Sequence, residues 1–183
     1  MTGEDRVSTT GRAPRWLPWI SAAVAVAGLG ASTYLTLAHY TTASILACNS
    51  TGLVDCAAVT TSPQSMVFGI PVAVLGLSWF AAMLGLSLPG AWRTTLRWVA
   101  PARMALAGVG MAFVLYLVYA ELLVLHHICL WCTSVHVLTF GLFMLVAVGT
   151  AHVGLAGAPT PADRQDQAVR PTRRPAKPFA RLR

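Results

Sequence analysis

"HHICLWCTSVHVLTFGLFMLVAVG", residues 126–149, joins a CxxC pair to an apolar run with no Asp, Glu, Lys or Arg. A run of this length matches the ~20 apolar residues that a helix needs to cross a bilayer. Working outward, three more stretches read the same way: "WLPWISAAVAVAGLGASTYLTLAH" (16–39), "MVFGIPVAVLGLSWFAAMLGLSL" (66–88) and "ARMALAGVGMAFVLYLVYAELLVL" (102–125). With 129–149 as the fourth, they predict an all-α integral membrane protein, a four-transmembrane-helix bundle with an outer loop that carries a cysteine pair. Helices are expected because lipid offers the backbone no hydrogen-bond partners. The composition agrees: 56% of the 183 residues are hydrophobic and 10% are charged, against roughly 25% charged in soluble domains.

The basic residues set the expected topology. Arg6, Arg12 and Arg15 precede the first run, and Arg93, Arg97 and Arg103 surround the second connection. Seven more lie beyond residue 150, while the 40–65 loop and the 126–128 turn have none. By the positive-inside rule both termini are cytoplasmic and the two uncharged connections face outward. The net charge of +7 is thus a topology signal, and the basic tail lacks the interleaved aromatics of a nucleic-acid surface. The expected organisation is a cytoplasmic N-terminal tail (1–15), a four-helix membrane domain (16–150) and a basic, mostly disordered cytoplasmic tail (151–183). "ILAC" at 45–48 is a poor lipoprotein cleavage box, since the apolar run is too long for a signal peptide and ends before Cys48.

This topology places all four cysteines, Cys48, Cys56, Cys129 and Cys132, on the outer face, where disulfides persist. Cys129 and Cys132 open a helix at i and i+3, close enough for a disulfide within one turn. Free N–H groups of a first turn stabilise a thiolate. A c-type haem needs CxxCH, and Thr133 follows Cys132. Zinc would need a closed four-ligand shell drawn from this pair and histidines such as His126, His127 or His136. Structural disulfides and active thiol–disulfide exchange both fit the spacing, and the position at a membrane edge favours exchange.

Four spans, a spaced cysteine pair in the first outer loop, Ser62 six residues beyond its second cysteine, and CxxC opening the fourth span resemble the vitamin K epoxide reductase family. "FGIP" at 68–71 is similar to its bacterial members. The reverse order, with CxxC in the first outer loop, is that of DsbB-type proteins. The resemblance implies that Cys48 and Cys56 are a loop or shuttle pair and that Cys129 and Cys132 are the active-site pair. It further implies a quinone of menaquinone, ubiquinone or vitamin K type as cofactor. The implied partner is a separate thioredoxin-like (DsbA-like) extracytoplasmic protein, because little chain remains beyond the fourth span for a fused domain. Where the human enzyme has a tyrosine four residues after the second CxxC cysteine, this chain has His136.

Around the cysteines, Ser62, Phe68, Trp131, His136 and Glu121 are candidate quinone contacts. Ser62-Pro63 has the form of a helix N-cap followed by proline at N1. Phe68 and Trp131 could cover a quinone ring or simply pack at the interface. Glu121 is the only charged residue within the interior of any span, and such residues are costly in lipid and often functional. It could move protons or bond a neighbouring helix. Gly28 and Ser32 form a small-xxx-small pair suited to helix packing. "NST" at 49–51 is formally a glycosylation sequon. The expected activity is that of a quinone-dependent thiol–disulfide oxidoreductase in a bacterial cytoplasmic membrane, with no metal and no nucleic acid. Cys129 is expected to receive the loop thiol and Cys132 to leave as the thiolate facing quinone. Vitamin K epoxide reduction would share every motif, and a scaffold with structural disulfides is the non-enzymatic alternative.

Overall fold

Ser21, Ala25, Gly28 and Ser32 recur at three- and four-residue spacing, the repeat that lines one face of a helix. In the computed structural model, which describes residues 14–42, 45–48, 52–94, 96 and 98–156, they form the buried stripe of helix α1, Leu17–Tyr40. This stripe admits the next long helix, α3 (Val72–Ser87). A Cβ at Gly28 would lie 2.1 Å from Phe80 Cε1, and one at Gly76 would lie 3.3 Å from Ser32 Oγ. The expected packing role of Gly28 and Ser32 holds.

The second predicted run, 66–88, divides in two. Met66–Val67 (β1) and Ile70–Pro71 (β2) pair as an antiparallel hairpin. Its turn residues, Phe68 and Gly69, have φ of 52° and 79°, the positive pair that a two-residue hairpin turn demands. Helix α3 can begin only after Pro71, whose ring fixes φ and which has no N–H for a helix interior. Periodicity could not reveal this, because hairpin and helix are both apolar.

Before the hairpin lies the short helix α2 (Cys56–Thr60). After α3, Leu88 is extended at ψ 146°, as a residue before proline prefers, and α4 (Pro89–Arg93) follows. Helix α5 (Val99–Tyr119) continues into a π-helical turn, Ala120–Leu125. Helix α6 runs Leu130–Ala156, past the boundary expected at residue 150. Residues 1–13, 49–51 and 157–183, which include the sequon and most of both tails, lie outside the described residues.

The four long helices pack in a ring, with α1 against α3 and α6 and α5 against the same two. Leu17–Tyr40, Val99–Leu125 and Leu130–His152 are long and apolar enough to cross a membrane. At 16 residues, α3 spans about 24 Å and is shorter than the ~30 Å hydrocarbon core. Ala25, Phe80, Met83, Ala107, Leu142 and Val146 are fully buried at the centre. Val26, Leu37, Val109, Leu115, Val137 and Val148 face outward, an apolar exterior suited to lipid.

Arg103, read from the sequence as part of a basic connection, is instead buried within α5. Its guanidinium lies 3.6 Å from the Trp92 ring centroid and donates to the Ala91 carbonyl at 3.2 Å. It therefore ties α4 back onto the bundle.

Gly28→Ala should lower the melting temperature of the detergent-purified protein, because a rigid aromatic must move. The cost is about 1–3 kcal/mol for an overpacked core. Gly30→Ala, with nothing within 4 Å of the added Cβ, should melt like the parent. Equal melting of all three proteins would refute the packing assigned to this face.

Candidate functional site

Everything that concerns cysteine gathers at one end of the bundle. Asp55 begins α2 as its N-cap, its carboxylate accepting from the Ala58 N–H at 3.0 Å, and so fixes the backbone at Cys56. Just before it, Leu53–Asp55 pairs with Ile128. The Ile128 N–H donates to the Leu53 carbonyl at 2.8 Å, and the Asp55 N–H donates to the Ile128 carbonyl at 3.1 Å. The two pinned segments lead directly into Cys56 and Cys129. Cys56 and Cys129 are both buried in one apolar cluster with Leu35, Ala38, Leu46 and Val59, and Cys48 and Cys132 pack against it.

Cys48 and Cys56 form a disulfide, with Cα atoms 6.1 Å apart, and Cys129 and Cys132 are free thiols. Cys48 is half-exposed, whereas Cys56 is almost wholly buried. Tyr34 on α1 steadies the Cys48 side. Its hydroxyl donates to the Ile45 carbonyl and accepts from the Ala47 N–H at 3.0 Å. The same ring stacks obliquely on Trp131, with centroids 4.5 Å apart. One tyrosine thus touches both the disulfide loop and the residue between the CLWC cysteines.

Cys129 immediately precedes α6, and its Sγ accepts the Cys132 backbone N–H at 3.2 Å. This is the geometry of an N-cap, in which the third helical N–H turns back to the capping side chain. A first-turn N–H thus points at the Cys129 sulfur, where it would stabilise a thiolate. The sequence reading assigned helix-terminus stabilisation to a Cys132 thiolate. The cap instead serves Cys129, because Cys132 at the third helical position supplies the N–H.

Beneath the cysteines lies a cavity of about 500 Å³ between α1, α3, α5 and α6. Its walls are mainly apolar, with Leu35, Val59, Leu106, Phe113 and Val114 among them. Of the candidate site residues, Ser62, Glu121, Cys132 and His136 line it. Glu121 and His136 are buried, and Glu121 enters from the π-helical turn. Such turns frequently mark functional sites. Phe68 and Trp131 do not line it: Phe68 is wholly exposed at the hairpin tip, and Trp131 is held by Tyr34. Ser62 precedes a 3₁₀ turn, Pro63–Ser65, as its spacing suggests, but its hydroxyl donates back to the Val59 carbonyl at 2.7 Å and caps nothing.

Two contributors escaped the sequence reading. Tyr34 carries no distinguishing signal, since tyrosine near a span end is common. Gln64, whose carbonyl oxygen is buried on the cavity wall without a partner among the described residues, looks like an ordinary loop polar residue. The apolar walls suit a flat apolar ring, and the orphaned Gln64 oxygen, an acceptor, suits a hydroxyl at its edge, as on a quinol. His136 is the side chain that would donate to a quinone oxygen here, Ser62 and Gln64 would accept from the hydroxyls of the reduced ring, and a bound quinone supplies a two-electron, two-proton acceptor. Among the described residues no three or more His, Cys, Asp or Glu side chains converge on a metal position.

Two cysteine pairs seated together over a lipid-level cavity define a membrane disulfide and quinone redox protein. The model of the vitamin K epoxide reductase family matches residues 19–147, and the chain belongs to that family, whose members are oxidoreductases.

Tyr34→Phe removes both hydroxyl hydrogen bonds and keeps the ring. Hydrogen–deuterium exchange should quicken over residues 45–48, by about fivefold for a net loss near 1 kcal/mol, with the centre of α6 unchanged. Unaltered exchange in the loop would show that Tyr34 does not secure it.

Proposed function

We propose that the protein is a membrane thiol oxidase and quinone reductase. It reoxidises a separate thioredoxin-like (DsbA-like) extracytoplasmic protein and passes the electrons to membrane quinone, in support of disulfide formation. The observation that carries this reading is the seating of the Cys48–Cys56 disulfide against Cys129, with Cys132 lining the cavity. The charge distribution supports both termini on the cytoplasmic side of a bacterial membrane and the cysteines on the other. In this reading α3 is the fourth crossing, lengthened at its outer end by the hairpin.

The chemistry follows from accessibility. A thiolate of the reduced partner attacks the half-exposed Cys48 sulfur, the Cys48–Cys56 bond breaks, and Cys56 leaves as a thiol. The partner's second thiol attacks the mixed disulfide, releasing Cys48 and an oxidised partner. With Cys129 and Cys132 in the disulfide state, Cys56 attacks Cys129 and Cys132 leaves with the electron pair. Cys48 then resolves the Cys56–Cys129 bond, which restores the loop disulfide and frees Cys129. The pair that remains reduced, with Cys132 on the cavity wall, holds the two electrons and two protons that the quinone takes up. Each exchange conserves its bond count, a thiolate displacing a thiolate through one mixed disulfide.

Division of labour is testable with purified protein, quinone and two reductants. Cys56→Ala should reduce oxidation of a thioredoxin-like partner to background. The same variant should retain much of the quinone reduction driven by a small dithiol that reaches Cys129–Cys132 directly. Complete loss of both activities in a folded variant would count against a relay, and no quinone-dependent thiol oxidation by the parent would remove the reading altogether.

A further inference from the structure

Oxidising the Cys129–Cys132 dithiol releases two protons along with two electrons, and the cavity that receives the electrons is walled by apolar side chains. Protons do not cross such a wall unaided, so a side chain must carry them. The titratable groups on the cavity wall are His39 from α1, Glu121 from the π-helical turn, and Cys132 and His136 from α6. The segment Val59–Ser65 and α3 contribute none. Of the four, Glu121 is the one carboxyl, buried where the π-helical turn carries it onto the same cavity wall as Cys132. Among the described residues no Lys or Arg lines the cavity with it. A carboxyl in a membrane-level segment is costly to keep without a task.

We infer that Glu121 is the proton carrier between the CLWC thiols and the acceptor in the cavity, an inference that rests on the quinone-reductase reading. As the Cys129–Cys132 bond forms, two electrons and two protons leave the dithiol. The Glu121 carboxylic acid gives one proton to a quinone oxygen and regains one from the departing thiol protons, ending as it began. The second proton goes directly from the Cys132 thiol, itself on the cavity wall, to the other oxygen, so dithiol and quinone become disulfide and quinol in balance.

The structural alternative is that Glu121 merely bonds a neighbouring helix as a neutral carboxylic acid. Glu121→Gln separates the two, because the amide keeps an oxygen acceptor of the same reach but cannot pass a proton. With quinone and a small dithiol, purified full-length E121Q should have a kcat lower than the parent's by at least about 100-fold, the low end for loss of a general acid. It should also remove one titration from the kcat–pH profile, and Glu121→Asp should restore that titration. Without quinone, the pH dependence of Cys132 alkylation should lose a step in E121Q. Should E121Q fail to fold, infrared difference spectra of the parent between the dithiol and disulfide states must contain a carboxylic acid band that moves in D₂O. Unchanged kcat and pH profile in folded E121Q, or no such band, would overturn the inference. A parent inactive with every quinone would instead sink the underlying reading, which this comparison keeps distinct.

Discussion

Two backbone hydrogen bonds between Leu53–Asp55 and Ile128 hold the site together. They join segments more than seventy positions apart, and each segment leads within a residue or two into a cysteine. Backbone pairing is well suited to this task because it fixes direction and register without depending on side-chain identity. It leaves the Cys48 arm of the disulfide free to meet water while Cys56 is pressed into the apolar cluster. Tyr34 adds a second tether, from the membrane helix to the Cys48 arm. A loop held at both ends can exchange a disulfide without dispersing its cysteines.

Below this clamp, the bundle supplies position rather than chemistry. The small-residue face of α1 allows α3 to approach through the Gly28–Phe80 contact. Gly110 opposite Trp79 does the same between α3 and α5, where the Trp79 indole also donates to the Leu106 carbonyl at 2.9 Å. Association through close packing and interhelical hydrogen bonds is what lipid permits, since it provides no hydrophobic drive between helices. The cavity opens nearer the cysteine end, where the π-helical turn brings Glu121 inward. Cys132 and Glu121 are therefore set on adjoining helix ends, facing one cavity.

Much of this was legible in the sequence because long apolar runs and charge asymmetry report directly on what lipid accepts. The bounds of α1 and the third run matched to within a few residues, and the four cysteines and Ser62 lie together at one end of the bundle. The hairpin was illegible because Met66–Pro71 is as apolar as the helix it precedes. The π-helical turn was equally hidden, since it changes backbone pitch without changing composition. Tyr34, Gln64 and the Ile128 pairing depend on tertiary neighbours or on backbone atoms, which no side-chain pattern encodes. Phe68 was equally opaque: the sequence places an aromatic at the mouth of a span but not the hairpin turn that leaves it exposed and off the cavity wall.

The central claim is that Cys56, not Cys48, faces the membrane-edge pair and exchanges with Cys129. Removing the resolving thiol with Cys132→Ala should arrest that exchange, and non-reducing peptide mapping by mass spectrometry reads the trapped bond directly. The account predicts a Cys56–Cys129 disulfide as the dominant linked species. A dominant Cys48–Cys129 bond, or a loop-to-Cys132 bond in Cys129→Ala with none in the reciprocal variant, would contradict it.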